Sequence, residues 1–150
     1  MTKLEALPKL KRYCAYQERC HSEVRSKLLS LKVYGDTLEE VILELVQEDY
    51  LNEERYARSY VRGKHRIKKW GRNKIIQELK SKGISQYCIK QGLTEIEYDH
   101  YIDSLNDVVS KYYNARIGLY DRPKLKIKTI QHGVSKGYEY QLVKGAIEKL

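Results

Sequence analysis

The chain has 150 residues with 29 Lys and Arg against 20 Asp and Glu, a formal charge of +9, and 41% hydrophobic residues. That balance excludes a disordered chain, and no apolar run is long enough to cross a bilayer or to act as a signal peptide. Three cysteines, Cys14, Cys20 and Cys88, with no CxxC pair, argue against a disulfide framework or a zinc ribbon. Free, mostly buried thiols in a reducing cytoplasm are expected instead.

Two prolines and nine glycines are too few turn signals for a strand-rich sandwich. Helical spacing dominates from the start. Leu7, Leu10 and Cys14 form the first apolar stripe, and Val24 and Leu28 lie one turn apart in a second helix. Leu38, Val41, Ile42 and Leu45 form a third stripe, with Thr37 and Glu40 spaced as a capping box. Asn52 before Glu53 and Glu54 reads as an N-cap followed by acids at the positive end of a helix dipole. Ser85 can cap the helix after it. The cleanest stripe is Tyr101, Ile102, Leu105, Val108, Val109 and Tyr112. Pro123 suits a first helical turn. Gly83 and Gly133 each follow a basic helix and suit the left-handed position at its end. Fourteen tyrosines and no phenylalanine mean that tyrosines must serve as core aromatics with their hydroxyls turned to polar groups.

The apolar residues Val33, Ile84 and Val134 recur about every 50 residues, the mark of a helical array. Each follows a helix carrying an i, i+4 pair (Val24/Leu28, Ile75/Leu79, Leu125/Thr129). Each precedes another such pair (Val41/Leu45, Ile89/Leu93, Val143/Ile147). The expected fold is all-α: three tandem three-helix repeats, 1–50, 51–94 and 95–150, stacked into an elongated curved array. Three short helices cannot bury their apolar faces alone, and stacking completes the core.

Charge is segregated. Residues 33–51 hold six acids and no Lys or Arg, whereas residues 52–82 hold eleven Lys and Arg against three acids. The acidic block (Asp36, Glu39, Glu40, Glu44, Glu48, Asp49) is expected either to face solvent or to pair with a basic part of the array.

The second repeat reads Leu51-Asn52-Glu53-Glu54-Arg55-Tyr56-Ala57-Arg58-Ser59-Tyr60-Val61-Arg62, then Trp70-Gly71-Arg72-Asn73-Lys74-Ile75-Ile76-Gln77-Glu78-Leu79-Lys80-Ser81-Lys82-Gly83-Ile84. This acid-rich cap, aromatic-Ala-Arg helix, basic Gly turn and Lys-Gly-Ile ending resemble the RecX family of bacterial recombination regulators. Glu23 to Leu29 is similar to that family's opening repeat. Tyr56 stands where phenylalanine is usual, Arg72 where proline is common, and Cys20 where a serine cap is often found. The resemblance implies three three-helix repeats and binding to the RecA recombinase filament. It further implies restraint of RecA's ATPase, strand-exchange and co-protease activities in DNA repair, recombination and the SOS response.

The residues that would carry binding are Arg55, Arg58, Arg62, Arg66, Lys68, Lys69, Trp70, Arg72 and Lys74. Arg58 and Arg62 lie one turn apart, and Arg66 extends their row. Arginine interleaved with aromatics is the composition of binding hot spots, and guanidinium forks suit carboxylates and phosphates alike. The plainer alternative is a solvated face paired with Glu53, Glu54 and Glu78. Trp70 either wedges a repeat interface or anchors a partner. Arg122, Lys124, Lys126 and Lys128 wrap around their helix and read as solvated. His21, His65, His100 and His132 are scattered, and no nucleophile, acid–base pair, phosphate loop or metal motif is present. The expectation is a monomeric, cytoplasmic binding protein without membrane segment, catalytic residue, metal or cofactor. Its partner is the RecA filament, with DNA as a further partner of the basic face. Direct nucleic-acid binding and a generic adaptor for another acidic protein are the competing functions.

Overall fold

The computed structural model describes residues 1–150 and contains nine α-helices. They are α1 (Lys3–Tyr16), α2 (His21–Ser30), α3 (Gly35–Gln47), α4 (Glu53–Lys68), α5 (Arg72–Ser81), α6 (Gln86–Leu93), α7 (Tyr98–Arg116), α8 (Arg122–Ser135) and α9 (Tyr140–Glu148). No strand forms beyond a single bridge between Ile117 and Tyr120. The fold is the expected one of three-helix repeats in tandem. By proximity the chain divides into two compact units. One is Met1–Ser59 with Leu79–Gly92, and the other is Tyr60–Glu78 with Leu93–Leu150.

In the first unit, α1, α2 and α3 pack on one another. Leu10, Cys14, Val24, Leu28, Leu38, Val41, Ile42 and Leu45 share one core, as their spacing predicts. Cys14, Cys20 and Cys88 are free thiols, the first two buried and Cys88 half-buried. Burial pushes the Cys14 thiol up to about 11, which keeps it protonated and inert. In the second unit, α7, α8 and α9 pack together around Tyr101, Leu105, Val108, Val109, Tyr138, Val143 and Ile147. The middle repeat buries Tyr56, Ala57, Val61, Ile75, Leu79, Ile84 and Ile89.

Helix starts follow the side chains available. The Asn52 carboxamide oxygen accepts from the Arg55 N–H at 3.0 Å, and the Ser85 hydroxyl accepts from Cys88 at 3.2 Å. Pro123 sits in the first turn of α8, whose cap is Asp121, accepting from Lys124 at 2.9 Å. The Thr37–Glu40 pattern does not open α3. That helix begins two residues earlier, at Gly35, behind Tyr34, so Thr37 is already helical.

The repeat is more regular than the sequence suggests, once its third copy is corrected. The expected left-handed residue Gly133 lies inside α8, and Val134 is 44% exposed. The left-handed residue is Gly137, at φ 100°, matching Lys32 at 61° and Gly83 at 77°. After each, an N–H reaches back five residues: Val33 to Leu28 at 2.9 Å, Ile84 to Leu79 at 3.1 Å, Tyr138 to Gly133 at 3.2 Å. The buried counterpart of Val33 and Ile84 is therefore Tyr138. The position of Leu28 and Leu79 is taken there by Gly133, whose added Cβ would lie 2.7 Å from a Val143 methyl. The third helix then begins two residues after Val33, Ile84 or Tyr138. That register aligns Leu38/Ile42 with Ile89/Leu93 and Val143/Ile147. Val41/Leu45 is buried but is not the matching pair.

Candidate partner-binding site

The basic segment is built on α4, the turn 69–71 and α5. Helix α4 ends with Lys69 at φ 56°, and the Trp70 N–H closes the cap on the Lys64 carbonyl at 3.2 Å. The turn is then pinned by backbone. The Gly71 N–H donates to the Lys136 carbonyl at 2.8 Å, and the Asn73 N–H donates to Gly137 at 2.9 Å. A Cβ on Gly71 would lie 2.3 Å from the Gly137 carbonyl carbon, so only glycine permits the approach.

Buried tyrosines complete the support. The Tyr138 hydroxyl donates to the Lys69 carbonyl at 2.8 Å. The Tyr101 hydroxyl donates to Glu139 and accepts from the Arg72 N–H at 2.9 Å. The two rings lie 5.1 Å apart, and the Arg72 guanidinium stacks over Tyr101 at 4.1 Å while pairing with Glu139 at 2.7 Å. Burial, aided by Glu139, raises the Tyr101 phenol to about 12. His65 is 4% exposed, and its Nδ1 faces the Trp70 carbonyl at 3.3 Å. That contact requires Nδ1–H as donor, and burial holds the imidazole pKa below its ordinary value.

Five of the expected binding cations are engaged by acids of the same chain. Arg55 pairs with Glu18 at 2.7 Å and Asp49 at 3.0 Å. Arg58 pairs with Glu54 at 3.2 Å and donates to the Gln91 carboxamide at 3.3 Å. Arg62 pairs with Glu95, Lys69 with Asp107, and Arg72 with Glu139. The partners are mostly distant in sequence, not the expected Glu53, Glu54 and Glu78 alone. Arg66 and Lys68 are exposed and form no ion pair. Trp70 is half-buried, with the Lys74 ammonium 4.6 Å and the Lys64 ammonium 5.0 Å from its ring.

Elsewhere four of the six acids of the acidic block are paired, Glu39 with Arg25, Glu44 with Lys3, Glu48 with Lys11 and Asp49 with Arg55, while Asp36 and Glu40 are exposed. On α8, Lys124 and Lys128 lie 5.3 and 5.0 Å from the Tyr120 ring. No group of three or more His, Cys, Asp or Glu is placed to hold a metal ion, and no helix is long and apolar enough to cross a membrane.

The fold is thus a set of three-helix repeats with a scaffolded, cation-rich turn after α4. Residues 52–93 match the family described as RecX, second three-helix domain. The chain is 33% identical over 129 residues to the regulatory protein RecX of Clostridium tetani, covering 85% of this chain and 59% of that one. It is 31% identical over 143 residues to the Lactococcus lactis regulatory protein RecX, covering 92% and 52%. The crystal structure of RecX from Lactobacillus salivarius superposes with a TM-score of 0.86 at 26% identity, over 99% of this chain and 96% of that one. Over most of its length the chain is similar to RecX proteins. It spans somewhat over half the length of the curated relatives it matches.

Proposed function

We propose that this chain regulates a RecA recombinase filament by binding it, restraining its ATPase, strand-exchange and co-protease activities in DNA repair, recombination and the SOS response. The match of residues 52–93 to the second three-helix domain of RecX carries this reading, since that stretch holds the basic segment. The curated relatives are named as regulatory proteins. In this reading the chain is a monomeric cytoplasmic protein of repeats 1–50, 51–94 and 95–150, acting without catalysis or cofactor.

Arg66, Lys68 and Lys74, which no carboxylate of the chain neutralises, meet acidic side chains of the filament or the phosphates of its DNA. Trp70 supplies the apolar anchor beside them. Arg55 and Arg58 in the first unit, and Arg62, Lys69 and Arg72 in the second, contribute to binding and also hold their own unit in shape through their ion pairs. The test is RecA's single-stranded-DNA-dependent ATPase with substoichiometric amounts of the chain. Inhibition well below one chain per RecA supports a filament-directed regulator, and no effect at excess removes RecA as the partner.

A further inference from the structure

The first repeat carries a groove of about 420 Å³ between α1 and α2. Lys9, Arg12, Arg19 and Lys27 line it with Tyr13 and Tyr16, and no acid does. None of the four cations is in an ion pair. The nearby acids are taken: Glu18 by Arg55 at 2.7 Å and Glu23 by the Cys20 N–H at 3.0 Å. Arg19 is fixed in place, its Nε donating to the Tyr13 carbonyl at 3.0 Å and its guanidinium stacked 3.8 Å over the Tyr13 ring. Tyr16 is 84% exposed.

The third repeat has the same construction at the same place. Arg116 donates to the Tyr112 carbonyl at 3.3 Å and stacks 3.8 Å over its ring. Tyr112 stacks on His132 at 4.3 Å, whereas Tyr13 has the Lys27 ammonium at 5.6 Å. Lys27 and His132 each precede the corresponding cap residues, Leu28 and Gly133. Leu31 and Lys136, three positions after those cap residues, line the two grooves in turn. Lys68 and Lys111 extend the second groove, which measures about 380 Å³. Its one acid, Asp107, is held by Lys69 and Lys111.

We propose that these two grooves each bind a stretch of single-stranded nucleic acid, with cations on the phosphates and bases against the exposed Tyr16 ring in the first groove and the Arg116 guanidinium plane in the second. Cations in excess over acids on a preorganised frame attract a polyanion, and stacking on aromatic rings and guanidinium planes takes unstacked bases of any sequence. A duplex hides its base faces, and an acidic peptide makes no use of the exposed tyrosine. This inference shares Lys68 and Lys69 with the RecA reading through the second groove, but its test contains no RecA and the first groove has no residue in common with that reading.

The experiment is fluorescence anisotropy of a labelled oligothymidylate with the full chain over a salt series. Wild type binds with affinity falling steeply as salt rises. Arg12→Ala with Lys27→Ala, and Lys111→Ala with Lys136→Ala, each weaken binding about tenfold at moderate salt. Each pair also reduces the log–log salt slope by roughly 1.4, two phosphates at about 0.7 apiece. Tyr16→Ala, at an exposed side chain outside the core, lowers affinity about fivefold or more while the melting curve stays at the wild-type temperature. Unchanged affinity and slope in both double variants overturn the proposal. Displacement of the oligonucleotide by polyglutamate as readily as by unlabelled oligothymidylate overturns it too, and assigns the grooves to an acidic protein.

Discussion

Gly71 and Gly137 are pressed backbone to backbone, with the Gly71 carbonyl oxygen 2.8 Å from where a Gly137 Cβ would stand. Sixty-six positions apart in sequence, the two residues join the turn after α4 to the turn after α8. Neither Gly71→Ala nor Gly137→Ala can be absorbed by a side chain rotating away, because the atoms met are mostly backbone. Each is expected to cost about 3 kcal/mol or more. Gly63→Ala, inside α4 with nothing within 4 Å of its Cβ, is expected to stabilise by ~0.5–1 kcal/mol. Chemical denaturation of the three variants reads both signs.

The Tyr138 hydroxyl satisfies the Lys69 carbonyl from a fully buried ring. Tyr138→Phe keeps the packing and leaves that carbonyl without its donor, at a cost of about 1–2 kcal/mol. A two-state denaturant series on the variant checks the value. A stability equal to wild type would mean that water replaces the hydroxyl.

Ion-paired and unpaired cations of the basic segment should separate in a charge-reversal experiment. Arg62→Glu sets a carboxylate against Glu95, which is 24% exposed, and is expected to lower stability by about 1 kcal/mol. Arg66→Glu with Lys68→Glu is expected to leave stability within ~0.5 kcal/mol and to lower affinity for the partner. Thermal melts beside the RecA ATPase assay distinguish loss of fold from loss of contact.

Stability should fall on mild acidification. Burial depresses the pKa of His65 and of His132, where Lys136 and Arg116 add to the effect. The unfolded chain therefore binds protons at a higher pH than the folded one, so stability rises with pH up to the ordinary imidazole value near 6.5 and levels off above it. Melting temperature is expected to drop between pH 7.5 and 5.5 and to stay flat from 7.5 to 8.5. Proton NMR titration of the two imidazoles should place both midpoints below the ordinary value.

The helices were legible because their buried stripes, such as Leu38 to Leu45 and Tyr101 to Val109, repeat at helical spacing over several turns. The third repeat was misread by four residues because Gly133-Val134 looks like Gly83-Ile84. What distinguishes Gly137-Tyr138 is the left-handed turn at 137, with Gly133 kept inside the helix by its close approach to Val143, and that is visible only when the packing is known. The candidate site was legible as a run of cations between 55 and 74. Which of them are neutralised was not, since Glu18, Glu95, Asp107 and Glu139 lie up to 67 positions from their partners. The α1–α2 groove left no local signal, as its four cations are spread over two helices and the connection between them with ordinary surface spacing.

Trp70 is the chain's only tryptophan among fourteen tyrosines, and its ring lies beside the ammonium groups of Lys64 and Lys74. The protein therefore carries its own optical probe at the turn after α4. Excitation at the red edge of the tryptophan band reads that turn with no label and no mutation. A carboxylate or phosphate that draws either lysine away changes the field across the indole and shifts its emission. Binding events remote from the turn leave the spectrum unchanged, so one titration tells where on the chain a ligand lands.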